Sequence, residues 1–250
     1  MISIVLPTYN EAGNIVELVN AIRKNLSNES YEIIVVDDDS PDGTFDLVTR
    51  EFGGEPRVIP ILRKTDRGLA KSIRAGVERA QGEVVLIMDT DFTHNPNDIP
   101  KMLHLSRAFD VIVGSRFSAG GSMPDFAHYI FSLTYNWLIR IVLRTQIQDN
   151  LSGFLMLNRS VIEVLPFDQI FFGYGDYCFR LLHYAQKRGM SILEMPVNYQ
   201  IRKKGSSKSV FWRLLFSYTR ALISLKWAVT RSRQKYLEAA HVQEDPRGNA

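Results

Sequence analysis

The stretch VVLIMDTD, residues 84–91, decides the fold class of this chain. It begins with five consecutive apolar residues, a pattern typical of a strand that is buried on both faces of a parallel sheet. Asp89 and Asp91 follow at the point where this strand is expected to end. Because ligands of open α/β sheets bind beyond the carboxyl ends of the strands, these two residues are the first candidates for a functional site.

Similar apolar runs recur on both sides of this stretch, and segments with helical periodicity separate them. The runs are 2–6 (ISIVL), 32–36 (EIIVV), 57–62 (RVIPIL), 84–88 (VVLIM) and 111–113 (VIV). Between them, apolar residues follow the spacing of one helix face, at Ile15, Leu18, Val19, Ile22 and Leu26 and again at Leu69, Ile73 and Val77. This alternation predicts an α/β fold with a mostly parallel, Rossmann-like sheet flanked by helices.

The composition of the chain fits one or at most two folded domains, since 45% of its 250 residues are apolar and 23% are charged. The single cysteine, Cys178, can form neither an internal disulfide nor a four-thiolate zinc site, which favours a reducing, cytoplasmic location. No basic leader precedes the first strand, and the uncharged apolar segment 126–139 is shorter than the roughly 20 residues of a spanning helix. We therefore expect no membrane-spanning segment.

The net charge of +3 hides an uneven distribution along the chain. Residues 201–235 contain ten Lys and Arg and no Asp or Glu, whereas the rest of the chain has 20 basic and 27 acidic residues. Such a segment indicates a surface for phosphates, nucleic acid or anionic lipid. Its interleaved Leu and Ile favour burial over a base-stacking platform, so we expect no nucleic-acid partner.

Polar clusters follow four of the predicted strands, at 7–11 (PTYNE), 37–43 (DDDSPDG), 89–91 (DTD) and 114–116 (GSR). Each cluster alone is also compatible with a turn or a helix cap, but four at one sheet edge favour a binding site. Neither a P-loop nor a G-x-G-x-x-G motif follows a strand, which argues against a P-loop NTPase and a dinucleotide-dependent oxidoreductase. Asp89 and Asp91 can instead face a divalent cation, Mg²⁺ or Mn²⁺, that is shared with a diphosphate.

The ordered set of motifs resembles family 2 glycosyltransferases of GT-A fold. The matching segments are 7–11 (PTYNE), 36–44 (VDDDSPDGT), 68–69 (GL), 89–91 (DTD), 114–116 (GSR) and 149–154 (DNLSGF). Within that family the chain is most similar to the branch of dolichol-phosphate mannose synthases and polyprenyl-phosphate sugar synthases. The resemblance covers about residues 1–210 and implies transfer of a hexose from a nucleoside-diphosphate sugar to a polyprenyl or dolichyl phosphate.

The resemblance also implies roles for individual residues on the donor side. Pro7, Tyr9 and Glu11 are expected to hold the ribose and base, and Asp38 is expected to accept hydrogen bonds from the base. The segment around Asp89 is expected to bind the sugar and the metal.

In the metal-binding segment, Asp91 is the implied principal ligand, Asp89 lies near the sugar and metal, and Thr90 stands between them. Mannose synthases of this type commonly carry Gln two residues after the second Asp as a further ligand. This chain has Thr93 there, followed by His94. That departure leaves the identity of the metal open.

On the phosphate side, the resemblance implies that Arg116 and Arg202 bind phosphate oxygens and that Lys208 assists them, because a guanidinium pairs two phosphate oxygens at once. The family often binds the lipid phosphate with an Arg four residues ahead of a Ser. The corresponding residues here are His128 and Ser132. Imidazole is a weaker phosphate ligand than Arg at neutral pH, so a rearranged acceptor contact is expected.

Asp176, in the segment 173–176 (GYGD), sits where family members that activate a sugar hydroxyl place a carboxylate base. An acceptor phosphate already carries an oxyanion and needs less help from a base. Three interpretations therefore stay open: a base, an orienter of an Arg or Lys, and an N-cap of a helix over 177–188. We favour the last two together.

Two segments have the composition of helices at a membrane interface. In 126–144 the polar residues recur every fourth position, at His128, Ser132, Asn136, Arg140 and Arg144, and apolar residues, many of them aromatic, fill most of the remaining positions. Residues 210–235 combine a basic side with an aromatic, aliphatic side. Core helices are the alternative. With the basic charge of 201–235, both segments predict peripheral attachment to an anionic membrane surface, on the cytosolic face.

The predicted organisation is a GT-A catalytic domain over 1–209, a basic amphipathic helix over 210–235 and a disordered tail over 236–250. The predicted reaction is an inverting displacement, in which the acceptor oxyanion attacks the anomeric carbon while the metal neutralises the departing diphosphate. Two alternatives stay open. One is transfer to a glycan or polysaccharide hydroxyl with Asp176 as base, and the other is a non-catalytic membrane adaptor that binds nucleotide-sugar. The sequence leaves the donor base and sugar undetermined, with mannose or glucose favoured.

Overall fold

The computed structural model describes residues 1–200 and 215–227. In this part of the chain, seven strands form one sheet: β1 (Ile2–Thr8), β2 (Tyr31–Asp37), β3 (Val58–Leu62), β4 (Val84–Ile87), β5 (Val111–Ser115), β6 (Leu155–Asn158) and β7 (Ile192–Pro196). The helices are α1 (Ile15–Asn25), α2 (Thr44–Phe52), α3 (Leu69–Arg79), α4 (Ile99–Leu105), α5 (Phe126–Leu143), α6 (Arg159–Val164), α7 (Phe167–Ile170), α8 (Tyr177–Lys187) and α9 (215–227). The predicted boundary at residue 209, the segments 201–214 and 228–235, and the tail 236–250 lie outside the described residues.

The strands are arranged in the order β3-β2-β1-β4-β6-β5-β7. The first four are parallel neighbours, and β5 is parallel to β7. Only β6 among these strands runs the other way, because it pairs antiparallel with both β4 and β5. The predicted mostly parallel α/β sheet is therefore confirmed, and the carboxyl ends of its parallel strands meet at one edge.

The sheet is buried on both faces, and the side-chain alternation of its strands explains how. Val5 of β1 packs on the face covered by α3 and α8, whereas its neighbours Ile4 and Leu6 pack on the face covered by α1. Successive residues of a strand point to opposite faces, so a strand buried on both sides must be apolar throughout. This is why uninterrupted apolar runs identified the central strands.

Helix α9 packs against α5 and α8 through an apolar cluster of its own. The buried members are Tyr135, Ile139, Leu143, Phe179, Leu222 and Leu225. The outward faces of α5 and α9 leave large apolar side chains exposed: Phe126, Ile130, Leu133, Trp137, Leu138 and Ile141 on α5, and Phe216, Ile223 and Trp227 on α9. We call this set the α5–α9 apolar surface. Within 1–200 and 215–227, no helix has the length and hydropathy needed to cross a bilayer.

The regular polar stripe predicted along α5 is wrong at one position. Asn136 is 1% exposed, its Nδ2 donates to the Ser132 carbonyl at 2.9 Å, and its Oδ1 accepts from the Asn150 backbone N–H at 2.7 Å. A buried amide must satisfy its hydrogen bonds within the protein, and Asn136 does so. The helix therefore turns its Asn136 side inward and its Trp137 side outward.

His183 of α8 links the stability of the fold to pH. It is buried, its Nε2 is without a hydrogen-bond partner among the described residues, and burial, with Lys187 and Lys226 nearby, lowers its pKa from 6.5 to about 4. Between these two pH values the unfolded chain binds a proton that the folded chain excludes, so the stability falls as the pH decreases through this window.

We expect His183→Leu to flatten the dependence of the thermal unfolding midpoint on pH in this window. His104→Gln, at an exposed site on α4, is the control and should keep the wild-type slope; equal slopes in all three proteins would contradict the assignment.

Candidate functional site

A pocket of about 570 Å³ opens at the carboxyl edge of the sheet. The predicted site residues on its wall are Pro7, Tyr9, Glu11, Asp38, Asp89, Thr90 and Asp91. They lie at or just after the carboxyl ends of β1, β2 and β4, which are adjacent in the sheet. The sheet order thus brings together three of the four polar clusters, and every predicted acidic residue of the donor and metal sites lies in one cavity.

Asp38 is fixed at the pocket wall by partners from the next strand and helix. Its Oδ1 accepts from Arg63 Nη1 at 2.7 Å, and its Oδ2 accepts from the Gly68 backbone N–H at 2.6 Å. Gly68 has a φ of +137°, which only glycine adopts without strain. Arg63 also donates to Ser72 Oγ at 2.8 Å. The sequence reasoning missed Arg63, although it directly follows the third strand, where the strand-end rule would have placed it.

Asp37 and Asp42, two other aspartates of the 37–43 cluster, shape the loop that carries Asp38. Asp37 accepts from the Ser40 backbone N–H at 2.8 Å and from Thr8 Oγ1 at 2.9 Å. Asp42 accepts from the Thr44 backbone N–H at 3.0 Å. These bonds hold a tight turn that leaves Asp38 on the pocket wall, so the turn-forming interpretation is correct for Asp37 and Asp42.

Asp89 and Asp91 face the pocket in different states of burial. The Asp89 side chain is 45% exposed, whereas Asp91 is buried and its Oδ1 accepts from the Thr93 backbone N–H at 2.9 Å and from Thr93 Oγ1 at 2.6 Å. Phe92 adopts a φ of +66° to close this turn. Thr93, which stands in place of the Gln that the resemblance implies, is thus hydrogen-bonded to the Asp91 carboxylate.

The donor chemistry of this pair fits a hard divalent cation. Within the described residues, no cluster of three or more His, Cys, Asp or Glu side chains could enclose a metal ion. Mg²⁺ is usually bound by one or two carboxylates together with substrate phosphates and water, and does not need an all-protein cage. Asp89 and Asp91, both on the wall of the pocket, meet that requirement.

His94 holds the backbone of the 89–91 segment through a hydrogen bond. The Asp89 backbone N–H donates to His94 Nδ1 at 2.9 Å, so the ring proton sits on Nε2, which donates to the Tyr199 hydroxyl at 2.8 Å. The imidazole stacks on Phe154 with 4.8 Å between ring centroids, and its burial lowers its pKa. A neutral imidazole with one defined tautomer therefore holds the Asp89 main chain, a role that the sequence reasoning did not assign.

Arg116 does not lie on the pocket wall. Its Nε and Nη2 bind the two oxygens of Asp149 at 2.8 and 2.7 Å, its backbone N–H donates to the same carboxylate at 3.0 Å, and its side chain is 8% exposed. The guanidinium also lies 4.8 Å from the Tyr199 ring centroid. The Arg116 guanidinium already donates to both carboxylate oxygens of Asp149, so its placement does not support the predicted phosphate contact.

Asp176 is buried in an ion pair with Arg180, and its Oδ1 accepts from the Tyr174 backbone N–H at 2.7 Å. It occupies the predicted N-cap position of α8, but its side chain makes no hydrogen bond to the helix. The pairing with Arg180 corresponds to the orienting interpretation. The carboxylate is 3% exposed and is not on the pocket wall, which leaves the base interpretation without geometric support.

The two predicted acceptor residues that the structure describes, His128 and Ser132, are not brought to the pocket. His128 Nδ1 lies 2.6 Å from Asp125 Oδ2, with 66% of the His128 side chain exposed, and Ser132 lies one turn further along α5. Neither residue contributes to the pocket wall. Arg202 and Lys208 lie outside the described residues.

Part of the pocket wall comes from the second half of the chain, and the sequence reasoning assigned these residues no role in the site. This part includes Tyr174, Gly175, Cys178 and, from α9, Tyr218. A Cβ atom at Gly175 would overlap the Tyr218 hydroxyl, so only glycine fits there without a shift of the Tyr218 side chain. Burial raises the pKa of Cys178 to about 12, which keeps it a thiol at neutral pH.

Curated relatives match this chain over most of its length. It is 32% identical to a dolichol-phosphate mannosyltransferase of Pyrococcus furiosus over 90% of the chain, and it spans 64% of the length of that relative. It is 28% identical to an undecaprenyl-phosphate mannosyltransferase of Micrococcus luteus, covering 92% of the chain and 97% of the relative. A polyprenol monophosphomannose synthase of Mycolicibacterium smegmatis is 29% identical, over 82% of the chain and 79% of the relative.

Solved structures match at the level of the fold. The glucosyl-3-phosphoglycerate synthase of Mycobacterium tuberculosis, crystallised with Mn²⁺, UDP-glucose and phosphoglyceric acid, has a TM-score of 0.71 at 16% identity over 90% of this chain and 79% of that chain. The expected GT-A-type α/β fold is thereby confirmed. The model of the family described as glycosyl transferase family 2 matches residues 3–165, the segment that contributes all four acidic residues of the pocket. The chain therefore belongs to glycosyl transferase family 2.

Proposed function

We propose that this protein transfers a hexose, mannose or glucose, from a nucleoside-diphosphate sugar to a polyprenyl phosphate, with inversion at the anomeric carbon. The observation that carries the proposal is the convergence of Glu11, Asp38, Asp89 and Asp91 on one pocket. The names of the three curated relatives, all polyprenyl-phosphate mannosyltransferases or mannose synthases, support the acceptor class.

Different residues of the pocket bind different parts of the nucleotide-sugar donor. Pro7, Tyr9 and Glu11 contact the nucleoside, and Asp38, held by Arg63, accepts hydrogen bonds from the base. Asp89 and Asp91 would hold Mg²⁺ or Mn²⁺, and the chemistry that this ion would supply is neutralisation of charge on the departing diphosphate. Because its Oδ1 already accepts two hydrogen bonds from Thr93, the Asp91 carboxylate is oriented before the donor arrives.

The acceptor phosphate supplies its own nucleophilic oxygen, so the reaction needs no protein base. This fits the described part of the pocket, where the carboxylates on the wall are Glu11, Asp38, Asp89 and Asp91, all with donor or metal roles. The alternative, transfer to a sugar hydroxyl, requires a further carboxylate as general base. Its candidate, Asp176, is buried with Arg180, and this favours the phosphate acceptor.

The α5–α9 apolar surface supports the membrane part of the proposal. The segments 126–144 and 215–227 contain Arg140, Arg144, Arg220 and Lys226 and no Asp or Glu. Exposed aromatic residues flanked by cations suit an anionic lipid interface, where each cation contributes about 1 kcal/mol. We therefore propose peripheral attachment to the cytosolic face of a membrane, where the lipid acceptor is found.

The chemical test is a donor screen with a short polyprenyl phosphate and radiolabelled nucleotide sugars. We expect purified protein with Mg²⁺ or Mn²⁺ to produce a chloroform-extractable, β-linked product from an α-linked donor such as GDP-mannose or UDP-glucose. A water-soluble glycan product would favour the hydroxyl-acceptor alternative. Donor binding without any product would favour the non-catalytic adaptor.

The membrane test is flotation with phosphatidylglycerol vesicles. We expect the protein to float at low salt and to be released as the salt concentration rises, because screening weakens the attraction of the cations. Ile141→Glu, within the α5–α9 apolar surface, should reduce flotation, whereas Val164→Glu, at a 43% exposed position on α6, should not. Equal recovery with and without vesicles would contradict the attachment.

A further inference from the structure

A second cavity, of about 370 Å³, lies beside α5. It shares no lining residue with the pocket at the carboxyl edge of the sheet. Three apolar side chains on its wall, Phe117, Leu133 and Trp137, give it a mainly hydrocarbon and aromatic lining. Arg140 and Gln148 are among its polar residues. Large apolar walls with a few polar groups are typical of a site for a small amphipathic molecule.

The cation in this cavity is available to a ligand. Arg140 is exposed, and no carboxylate of the described residues forms an ion pair with it, whereas Arg116, Arg180 and Arg63 are each paired with an aspartate. A guanidinium binds phosphate oxygens through its planar fork. An anionic group such as a phosphate therefore fits this cavity.

The position of the cavity indicates where that phosphate comes from. Leu133 and Trp137, 40% and 61% exposed, belong both to its wall and to the α5–α9 apolar surface. A lipid at that surface brings its headgroup to the level of an aromatic belt and its chains into the apolar side. The absence of acidic residues from 126–144 leaves the positive charge of Arg140 uncompensated along this helix.

We infer that this cavity binds the headgroup of an anionic phospholipid, with Arg140 on the phosphate and Trp137 against the glycerol and first chain carbons. The inference rests on the proposed membrane attachment and adds a defined lipid site to it. A lipid bound there fixes the orientation of α5 on the bilayer.

The test uses Trp137 as a local probe in the full-length chain. Trp212→Phe and Trp227→Phe leave it as the only one of the three tryptophans. Titration with dihexanoyl phosphatidic acid below its micelle concentration is expected to give a saturable change in Trp137 emission. Arg140→Gln should weaken this binding by about tenfold or more, because a charge-assisted hydrogen bond is lost. Arg144→Gln, on an exposed residue outside the cavity, is the matched control and should leave it unchanged.

Three outcomes would overturn the inference: no saturable response, equal affinities in the Arg140 and Arg144 variants, or an equal response to dihexanoyl phosphatidylcholine. A response to citronellyl phosphate alone would overturn it too, since the cavity would then be an acceptor subsite. Flotation of the protein without a titratable Trp137 signal refutes the lipid site and leaves the proposed function intact. Loss of flotation together with loss of the signal refutes both the site and the proposed attachment.

Discussion

Asp91→Asn is expected to lower turnover by about 10²–10³-fold at saturating metal while the fold stays intact. Asparagine keeps a carbonyl oxygen that can accept both hydrogen bonds from Thr93, so the turn after β4 is preserved. It removes the negative charge that a divalent cation requires. The same variant should therefore bind Mn²⁺ more weakly in the presence of nucleoside diphosphate, as measured by electron paramagnetic resonance.

The matched control for this change is Asp46→Asn, which alters the same chemical group at an exposed position on α2. It should retain wild-type turnover and Mn²⁺ binding. Unchanged activity in the Asp91 variant, with metal saturating and the thermal unfolding midpoint unaltered, would remove Asp91 from the mechanism.

Asp176→Asn is expected to destabilise the fold by about 3–5 kcal/mol, because it leaves the buried Arg180 guanidinium without its counter-charge. Turnover per folded molecule should change little, since the carboxylate does not face the pocket. Chemical denaturation measures the first quantity, and assays at a temperature where the variant is fully folded measure the second.

Two further variants sharpen this prediction. Asp176→Asn combined with Arg180→Met should cost less than the sum of the single changes, because both singles remove the same pair. Asp168→Asn removes a surface ion pair, in which Asp168 is 88% exposed, and should cost less than about 1 kcal/mol. A stable Asp176 variant that has lost its turnover would instead establish the residue as the base and favour a hydroxyl acceptor.

The central strands could be predicted from the sequence because burial on both faces demands uninterrupted apolar runs. The strands missed were the short β6 and the partly exposed β7. The run in β6 is four residues long and gives no indication of the two distant strands with which it pairs antiparallel. The sheet order, which brings the site together, is therefore a property of the packed chain and not of any single segment.

The acidic half of the site could be predicted because strand ends in a parallel sheet share one edge. Side-chain partners could not, since they depend on contacts across the chain: Arg116 meets Asp149 from 33 residues away. A carboxylate or guanidinium in a motif can face a ligand or a buried counter-ion, and the motif is the same in both cases. Tyr218 was missed because it belongs to no polar cluster, whereas Arg63 was missed although it directly follows the third strand.

The antiparallel insertion of β6 between β4 and β5 has a consequence for how the protein folds. Strands β1 to β4 are joined by consecutive crossovers and form one continuous half of the sheet, whereas β6 must find β4 across an intervening stretch that contains β5 and α5. Contacts between residues far apart in sequence close slowly, because the entropy of the loop is lost before the contact forms. The part of the cavity formed at the ends of β1, β2 and β4 is therefore expected to assemble first. A nascent chain released before β6 has emerged would carry the proposed nucleoside-binding residues without the wall formed by Tyr174, Gly175 and Cys178.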